Sequence, residues 1–128
     1  MKIIPFRGPK KRIKRTSKFI SGWKELQGLC KDKETWADAL QSADVLLNKA
    51  LKKRRFKGKT LGERLVKAQR YITDNDDIWD AHNLVKKLTA DATLRLKESE
   101  VKEALISFRE ALKDLGALPS NKESGNDK

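Results

Sequence analysis

His82 is the only histidine of the 128-residue chain and Cys30 is its only cysteine, so the groups that most often carry out acid–base or nucleophilic chemistry are few. A catalytic histidine needs a second group that orients it or exchanges a proton with it, and the chain holds no second imidazole. His82 falls between Ile78 and Val85 on the apolar face of a predicted helix, which favours a packed core histidine over a catalytic base. Cys30 lies on the apolar side of its own helix, which favours a buried structural thiol over a reactive one.

Metal and phosphate-loop chemistry have little support in the sequence. A single cysteine excludes an internal disulfide and a zinc site made of several cysteines. One histidine and scattered carboxylates give no metal-ligand spacing. Gly58-Lys59-Thr60 resembles the end of a P-loop but lacks the upstream glycine and the preceding strand. We therefore expect neither a metal nor an organic cofactor.

Positive charge is the strongest functional signal. The net charge is +12, and residues 1–18 alone hold eight Lys or Arg and no acid. A basic run of this kind is typical of segments that lie along phosphates. Residues 1–15 form a basic arm that we expect to be disordered in isolation, because its charges repel one another and proline and glycine interrupt it. A helical domain (16–118) and a disordered polar tail (119–128) are expected to follow.

We expect contacts with phosphates to come from three groups of cations. The first lies in the arm and just after it: Arg7, Lys10, Lys11, Arg12, Lys14, Arg15 and Lys18. The second, which we call the 49–59 cluster, surrounds the end of the second predicted helix: Lys49, Lys52, Lys53, Arg54, Arg55, Lys57 and Lys59. The third is the pair Lys86 and Lys87.

Each group of cations has an alternative explanation. The arm can be a solvated tail, or it can contact anionic lipid, because apolar residues flank its charges; a membrane surface is less favoured than nucleic acid. Cations at the end of a helix offset the helix macrodipole, which accounts for part of the 49–59 cluster. Lys86 and Lys87 can simply form the solvent side of their helix, and the sequence slightly favours that explanation for the pair.

The apolar pattern predicts an all-α fold, an up-and-down bundle of about five helices joined by short loops. No stretch alternates between apolar and polar residues for long enough to indicate a strand. Asp32 is expected to start the second helix, and Thr60-x-x-Glu63 has the form of a capping box for the third. Either Tyr71 or Ile72 is expected to point inward at the end of that third helix.

The fourth predicted helix is expected to be central, because its apolar face needs cover from its neighbours. Asp74 or Asn75 is its expected N-cap. The last helix is predicted to run from residue 98 to residue 115, and Gly116 is expected to stop it.

Four pieces of the sequence resemble a family of small helical domains found in bacteria of the candidate phyla radiation, within the HEPN (higher eukaryotes and prokaryotes nucleotide-binding) superfamily. They are WKELQ (23–27), ADVLLNKALKKRRFKGKTLGERL (43–65), DIWDAHNLVKKL (77–88) and EVKEALISFREALKDLGAL (100–118). Together they span about three quarters of the chain, and GKTLGERL and IWDAH are their most specific parts. The resemblance implies an HEPN-like bundle, a fold that often dimerises and often binds or cleaves RNA.

HEPN ribonucleases carry an arginine and, a few residues later, a histidine, which both subunits of a dimer contribute to RNA cleavage. The resemblance places Val85 at the arginine position, Lys86 at the polar position after it and Ala90 at the histidine position. Both catalytic side chains are therefore absent, and no arginine stands a few residues ahead of His82. Without them there is no proton donor and no group to stabilise the developing charge, so the resemblance implies a pseudo-enzyme. In a dimer, Lys86 and Lys87 would line a basic groove.

The sequence thus predicts a non-catalytic nucleic-acid-binding protein, with RNA favoured over DNA. Weak sequence preference is expected, since few aromatic residues remain outside the predicted core. The alternative is a protein-interaction, scaffold or antitoxin-like module whose arm docks on an acidic protein; a homodimer is open in either case. No apolar run approaches the roughly 18 residues of a membrane span and no signal peptide is recognisable, so we expect a cytoplasmic protein.

Overall fold

The computed structural model describes residues 16–119; the interpretations of the arm (1–15) and of residues 120–128 lie outside the described residues. The described chain forms five α-helices, which are α1 (Ser17–Leu29), α2 (Trp36–Lys53), α3 (Leu61–Ala68), α4 (Asn75–Ala90) and α5 (Glu98–Asp114). Two short 3-10 turns, Lys33–Thr35 and Gln69–Tyr71, lie before α2 and after α3. Between residues 16 and 119 there is no strand, so the predicted all-α bundle is confirmed for this part of the chain. None of these five helices combines the length and the apolar character that crossing a bilayer requires.

Helix α2, rather than α4, is the element around which the bundle packs. Each of the other four helices contacts α2, whereas α4 packs mainly on α2 and α5. The apolar residues of α2 recur at steps of three and four and are fully buried: Leu40, Ala43, Leu47, Ala50 and Leu51. Burial of one such leucine stabilises the fold by roughly 1.5–3 kcal/mol. The expectation that α4 is central was wrong. The apolar face of a helix indicates that the face is buried, but it does not indicate how many neighbouring helices bury it.

The helix starts follow local capping chemistry. Asp32 accepts a hydrogen bond from the Glu34 N–H at 3.0 Å, but it caps a 3-10 turn, and α2 begins only at Trp36. At α3, Thr60 accepts from the Glu63 N–H at 3.1 Å, as a capping box requires. The Glu63 carboxylate closes the box by accepting from the N–H of Lys59, one residue before the cap, at 2.8 Å.

Helix α5 ends in a Schellman motif. Gly116 has φ 84°, in the left-handed region that glycine adopts without strain. The next N–H, of Ala117, donates to the Leu112 carbonyl at 2.8 Å, and the Gly116 N–H donates to Lys113 at 3.0 Å. The stop that the sequence predicts at Gly116 is confirmed.

Three chain segments meet at one end of the bundle, which we call the Arg54 end. The Arg54 guanidinium donates to the Leu115 carbonyl at 2.7 Å, so the C-termini of α2 and α5 lie side by side. The Thr73 N–H donates to the Asp114 carboxylate at 2.8 Å, which brings the start of α4 to the same place. Asp74 caps α4 there by accepting from the Asp77 N–H at 3.3 Å. Helices α2 and α5 are therefore parallel, and α4 is antiparallel to both.

Candidate nucleic-acid interface

The 49–59 cluster lies on the last turns of α2 and in the loop that follows. Six of its members are solvent-exposed, and within residues 16–119 none of the six pairs with a carboxylate: Lys49, Lys52, Lys53, Arg55, Lys57 and Lys59. Lys49, Lys52 and Lys53 stand three and four positions apart, so they share one helical face. Like charges at this spacing destabilise a helix by about 0.2–0.5 kcal/mol per pair. The arrangement is unfavourable in the absence of an anion and favourable in its presence.

The helix macrodipole explains only part of this cluster. Lys52 and Lys53 lie in the last turn of α2, where a cation offsets the partial negative charge of the free carbonyls. Arg55, Lys57 and Lys59 lie beyond the end of the helix, where that effect has largely fallen off. Their charges remain available to a ligand.

Arg54 is the exception in the cluster. It is partly buried, and its guanidinium caps α5 through the Leu115 carbonyl and lies 5.3 Å from the centre of the Tyr71 ring. Burial lowers the pKa of this guanidinium from its usual value. Arg54 was predicted to contact phosphate, but its guanidinium instead connects the C-terminal ends of α2 and α5. Sequence spacing could not reveal this role, because Leu115 is distant from Arg54 along the chain.

Arg55 holds an unusual backbone conformation. Its φ is 67°, and it is the only residue other than glycine with a positive φ in the described chain. The Phe56 N–H donates to the Leu51 carbonyl at 3.1 Å and the Arg55 N–H donates to Lys52 at 2.9 Å, so α2 ends in the same motif as α5. Arg55 occupies the position that Gly116 occupies in α5. The left-handed turn directs the chain away from the helix and leaves the Arg55 side chain exposed.

Two aromatic side chains accompany these cations. The Phe56 and Tyr71 rings lie 5.5 Å apart, tilted by 51°, and Arg54 lies beside both. Tyr71 is 48% exposed, whereas Ile72 is 5% exposed and joins the core. Of the two residues that could point inward, Ile72 is the one that does. Sequence reasoning missed this exposed ring, because periodicity alone does not separate adjacent residues at the end of a short helix.

Lys86 and Lys87 lie in a groove of mixed charge. They are exposed and line an open groove of about 1020 Å³ between α4 and α5. The same groove is lined by four acids: Asp77, Asp80, Glu100 and Glu103. These carboxylates outnumber the two lysines within one protomer, and the basic groove that is expected across a dimer interface stays a prediction. The acids lie on α5 and on an earlier turn of α4, and only the packing of the two helices brings them opposite Lys86 and Lys87.

The two positions that the resemblance assigns to catalysis face different surroundings. Val85 is 5% exposed and belongs to the core, whereas Ala90 is exposed and lines the α4–α5 groove. Residues five apart on a helix point in directions well over a right angle apart, at about 100° per residue. Val85 therefore does not line the groove that Ala90 lines.

His82 is buried, as the sequence predicts, and it is paired. It is 8% exposed, and its Nδ1 lies 2.9 Å from the Asp44 carboxylate on α2. The Trp79 ring packs against it edge-on at 6.0 Å. Asp44 was not anticipated, although a signal exists: it stands in step with Leu40 and Leu47 on the apolar stripe of α2. Asp44 is partly buried, and its carboxylate satisfies the buried imidazole, so the pair joins α2 to α4.

Lys18 and Cys30 lie at opposite ends of α1. Lys18 is exposed in the first turn of α1, and the other cations of its group lie outside the described residues. Cys30 is half-buried, and its thiol donates to the Leu26 carbonyl at 3.2 Å. Burial raises the pKa of this thiol from its usual value, and a higher pKa lowers the fraction of reactive thiolate.

A second, smaller cleft of about 350 Å³ separates α1 from α5. Its lining is mostly apolar and carries the cations Lys102 and Arg109. Both cations pair with carboxylates outside the cleft, Lys102 with Glu98 at 3.4 Å and Arg109 with Glu110 at 3.6 Å. Two lining residues, Trp23 and Arg109, have buried N–H groups (Nε1 and Nε) without an acceptor among the described residues. The exposed side chain of Ile106 lies at the same cleft.

In residues 16–119 the 49–59 cluster thus holds six exposed cations without an ion pair, and the α1–α5 cleft is an open, mostly apolar surface. Comparison of the chain with protein-family models, with curated proteins and with solved structures gives no match.

Proposed function

We propose that this protein binds nucleic acid, RNA in preference to DNA, without cleaving it. The observation that carries the proposal is the set of six exposed cations of the 49–59 cluster that have no ion-pair partner within residues 16–119. Each phosphate that a Lys or Arg neutralises releases a counterion, so such a cluster binds any nucleic-acid backbone. By its sequence the basic arm adds further cations to the same ligand.

The conformation of Arg55 supports the same proposal. An arginine with φ 67° stands where the equivalent helix end has glycine. Residues held in sparsely populated backbone regions are concentrated at functional sites. The turn that ends α2 presents this cation to solvent, which is consistent with a ligand contact.

The chain offers a matched pair of variants to test this proposal. Lys52→Gln/Lys53→Gln removes two adjacent lysines from the cluster, and Lys86→Gln/Lys87→Gln removes two adjacent lysines from the mixed-charge groove. All four lysines are exposed on helices, so both variants lose the same charge. Binding of a labelled RNA, measured by fluorescence anisotropy against salt, should weaken only in the first variant.

The size of the effect follows from counterion release. Loss of two phosphate contacts should reduce the slope of log K against log salt by about 1.4 for single strands and about 1.8 for duplex. Equal weakening of both variants would show that net charge alone matters and that the cluster is not the interface.

We also propose that the bundle is HEPN-like and is a pseudo-enzyme. The support is the sequence resemblance across residues 23–118 and the absence of arginine and histidine at Val85 and Ala90. RNA incubated with the wild-type protein and with His82→Ala should be degraded only at the background rate in both cases. Cleavage by the wild type that His82→Ala abolishes would contradict the proposal.

A protein-interaction module is the second candidate function, and the α1–α5 cleft favours it. Its apolar lining and the buried Trp23 N–H, which has no acceptor among the described residues, suit a peptide that supplies an apolar side chain beside a hydrogen-bond acceptor. Affinity capture from nuclease-treated extract separates the two functions. Partners that disappear with nuclease support nucleic-acid binding, whereas partners that persist and are lost in Ile106→Asp support the interaction module.

A further inference from the structure

We propose that the ligand is single-stranded and that Tyr71 stacks on one of its unpaired bases. This inference rests on the proposed function and narrows its substrate class. Phosphate contacts alone do not distinguish a single strand from a duplex, whereas an exposed aromatic face does. In a duplex the bases are already stacked on one another and are not available to a surface ring.

The Tyr71 ring is both exposed and held in place. It is 48% exposed, yet it packs against Phe56 at 5.5 Å and against the Arg54 guanidinium at 5.3 Å. Arg54 is itself fixed by its hydrogen bond to the Leu115 carbonyl. The ring is therefore preorganised, and stacking requires less ordering of the side chain than a free surface tyrosine would need.

The backbone beneath the ring is also fixed. The Asn75 side-chain amide donates to the Gln69 carbonyl at 2.9 Å and to the Ile72 carbonyl at 3.1 Å, on either side of Tyr71. Ile72 is buried in the core, and Thr73 is bonded to Asp114. The segment that carries the ring is thus a rigid part of the Arg54 end.

Cations flank the two rings along the chain. Arg55 precedes Phe56, and Arg70 precedes Tyr71; both arginines are exposed and unpaired among the described residues. Nonspecific single-strand binders combine such cations, which follow the backbone, with aromatic rings, on which bases stack. Of the four large exposed apolar side chains in residues 16–119, only Tyr71 has a ring; the others are Val45, Val66 and Ile106.

The test compares single-stranded and duplex RNA of one sequence, each labelled, with the full-length protein. The variants are Tyr71→Ala and Tyr71→Leu, of which the second keeps apolar contact with Phe56 but has no aromatic face. Tyr71→Phe keeps the ring, and Val66→Ala is a matched control at another exposed position of 54% exposure. Thermal unfolding by circular dichroism confirms that each variant is folded.

Loss of the ring should weaken single-strand binding by roughly 5- to 150-fold, the range that alanine substitution of a stacking residue gives. Duplex binding should be unchanged, and so should the slope of log K against log salt, because no cation is removed. Tyr71→Phe and Val66→Ala should bind as the wild type does.

Two results would overturn the inference. One is wild-type affinity for the single strand in Tyr71→Leu, and the other is equal weakening for single strand and duplex. Both leave the proposed function intact, since the wild type still binds with a steep salt dependence. If the wild-type protein binds neither the single-stranded nor the duplex RNA, the proposed function fails and this inference fails with it.

Discussion

Replacement of Arg55 separates the backbone strain of this residue from the effect of its charge. Arg55 has φ 67°, and Gly116 has φ 84° at the equivalent position of α5. A side-chain-bearing residue in the left-handed region costs about 1–2 kcal/mol, whereas glycine costs little there. Glycine loses more backbone entropy on folding, which reduces the gain by about 0.5–1 kcal/mol. The net gain lies between about 0 and 1.5 kcal/mol, and from the middle of this range we expect Arg55→Gly to have a free energy of unfolding about 0.5–1 kcal/mol above that of Arg55→Ala.

The comparison with Arg55→Ala removes the contribution of charge. Both variants lose the same cation just beyond the end of α2, so any effect of its charge on stability cancels between them. Urea denaturation measures the difference directly, and thermal unfolding should show it as a gap of roughly 2–8 °C for a domain of this size. Gly116→Ala provides the reverse case and should destabilise the protein, since it introduces the strain that Arg55 already has.

RNA binding by Arg55→Gly and Arg55→Ala should not differ in the way that their free energies of unfolding do. Both Arg55 variants lose one phosphate contact, so the slope of log K against log salt should fall by about 0.7–0.9 in each. The reasoning would be refuted if Arg55→Gly were no more stable than Arg55→Ala. It would also be refuted if the more stable variant bound RNA as the wild type does.

Five further outcomes are expected. Asp44→Ala leaves the buried His82 without its partner and should lower the free energy of unfolding by about 1–3 kcal/mol, measured in urea against the exposed Asp38→Ala. Gly58→Ala places a methyl group 2.8 Å from the Glu63 Cβ and should lower Tm, whereas Gly28→Ala, with nothing within 4 Å, should raise it. Burial raises the pKa of the Cys30 thiol, so a thiol reagent should react more slowly with the folded than with the unfolded protein. The same shift predicts that stability falls once the pH rises past the unfolded pKa of about 9, since only the unfolded thiol then ionises readily. Deletion of residues 1–15 should weaken RNA binding and flatten its salt dependence.

The helices themselves could be predicted because their signals are local. The apolar stripe of α2 recurs at steps of three and four, and Leu40, Leu47 and Leu51 are buried as that spacing requires. The caps at Thr60 and Asp74 and the stop at Gly116 depend on bonds within a few residues. Such features need no knowledge of the tertiary fold.

The candidate interface was only partly predictable, because its details depend on contacts between distant segments. The density of cations without an intervening acid located the 49–59 cluster in the sequence, but it could not show that the Arg54 side chain turns inward to the Leu115 carbonyl. The pairing of Asp44 with His82 joins two helices and leaves only a weak trace in the sequence.

The surroundings of Lys86 and Lys87 were unpredictable for the same reason. The lysines belong to α4, but two of the acids that share their groove, Glu100 and Glu103, belong to α5. The net charge of a groove includes the residues of both helices that line it. The sequence of one helix shows only the charges that this helix contributes.

The salt dependence of RNA binding by the full-length protein tests the central claim most directly. If about six to eight of its cations engage phosphates, log K should fall with log salt at a slope of roughly −4 to −7. Lys52→Gln/Lys53→Gln should reduce that slope, and Lys86→Gln/Lys87→Gln should leave it unchanged. A flat response of the wild-type protein to salt would contradict the claim that the 49–59 cluster binds the nucleic-acid backbone.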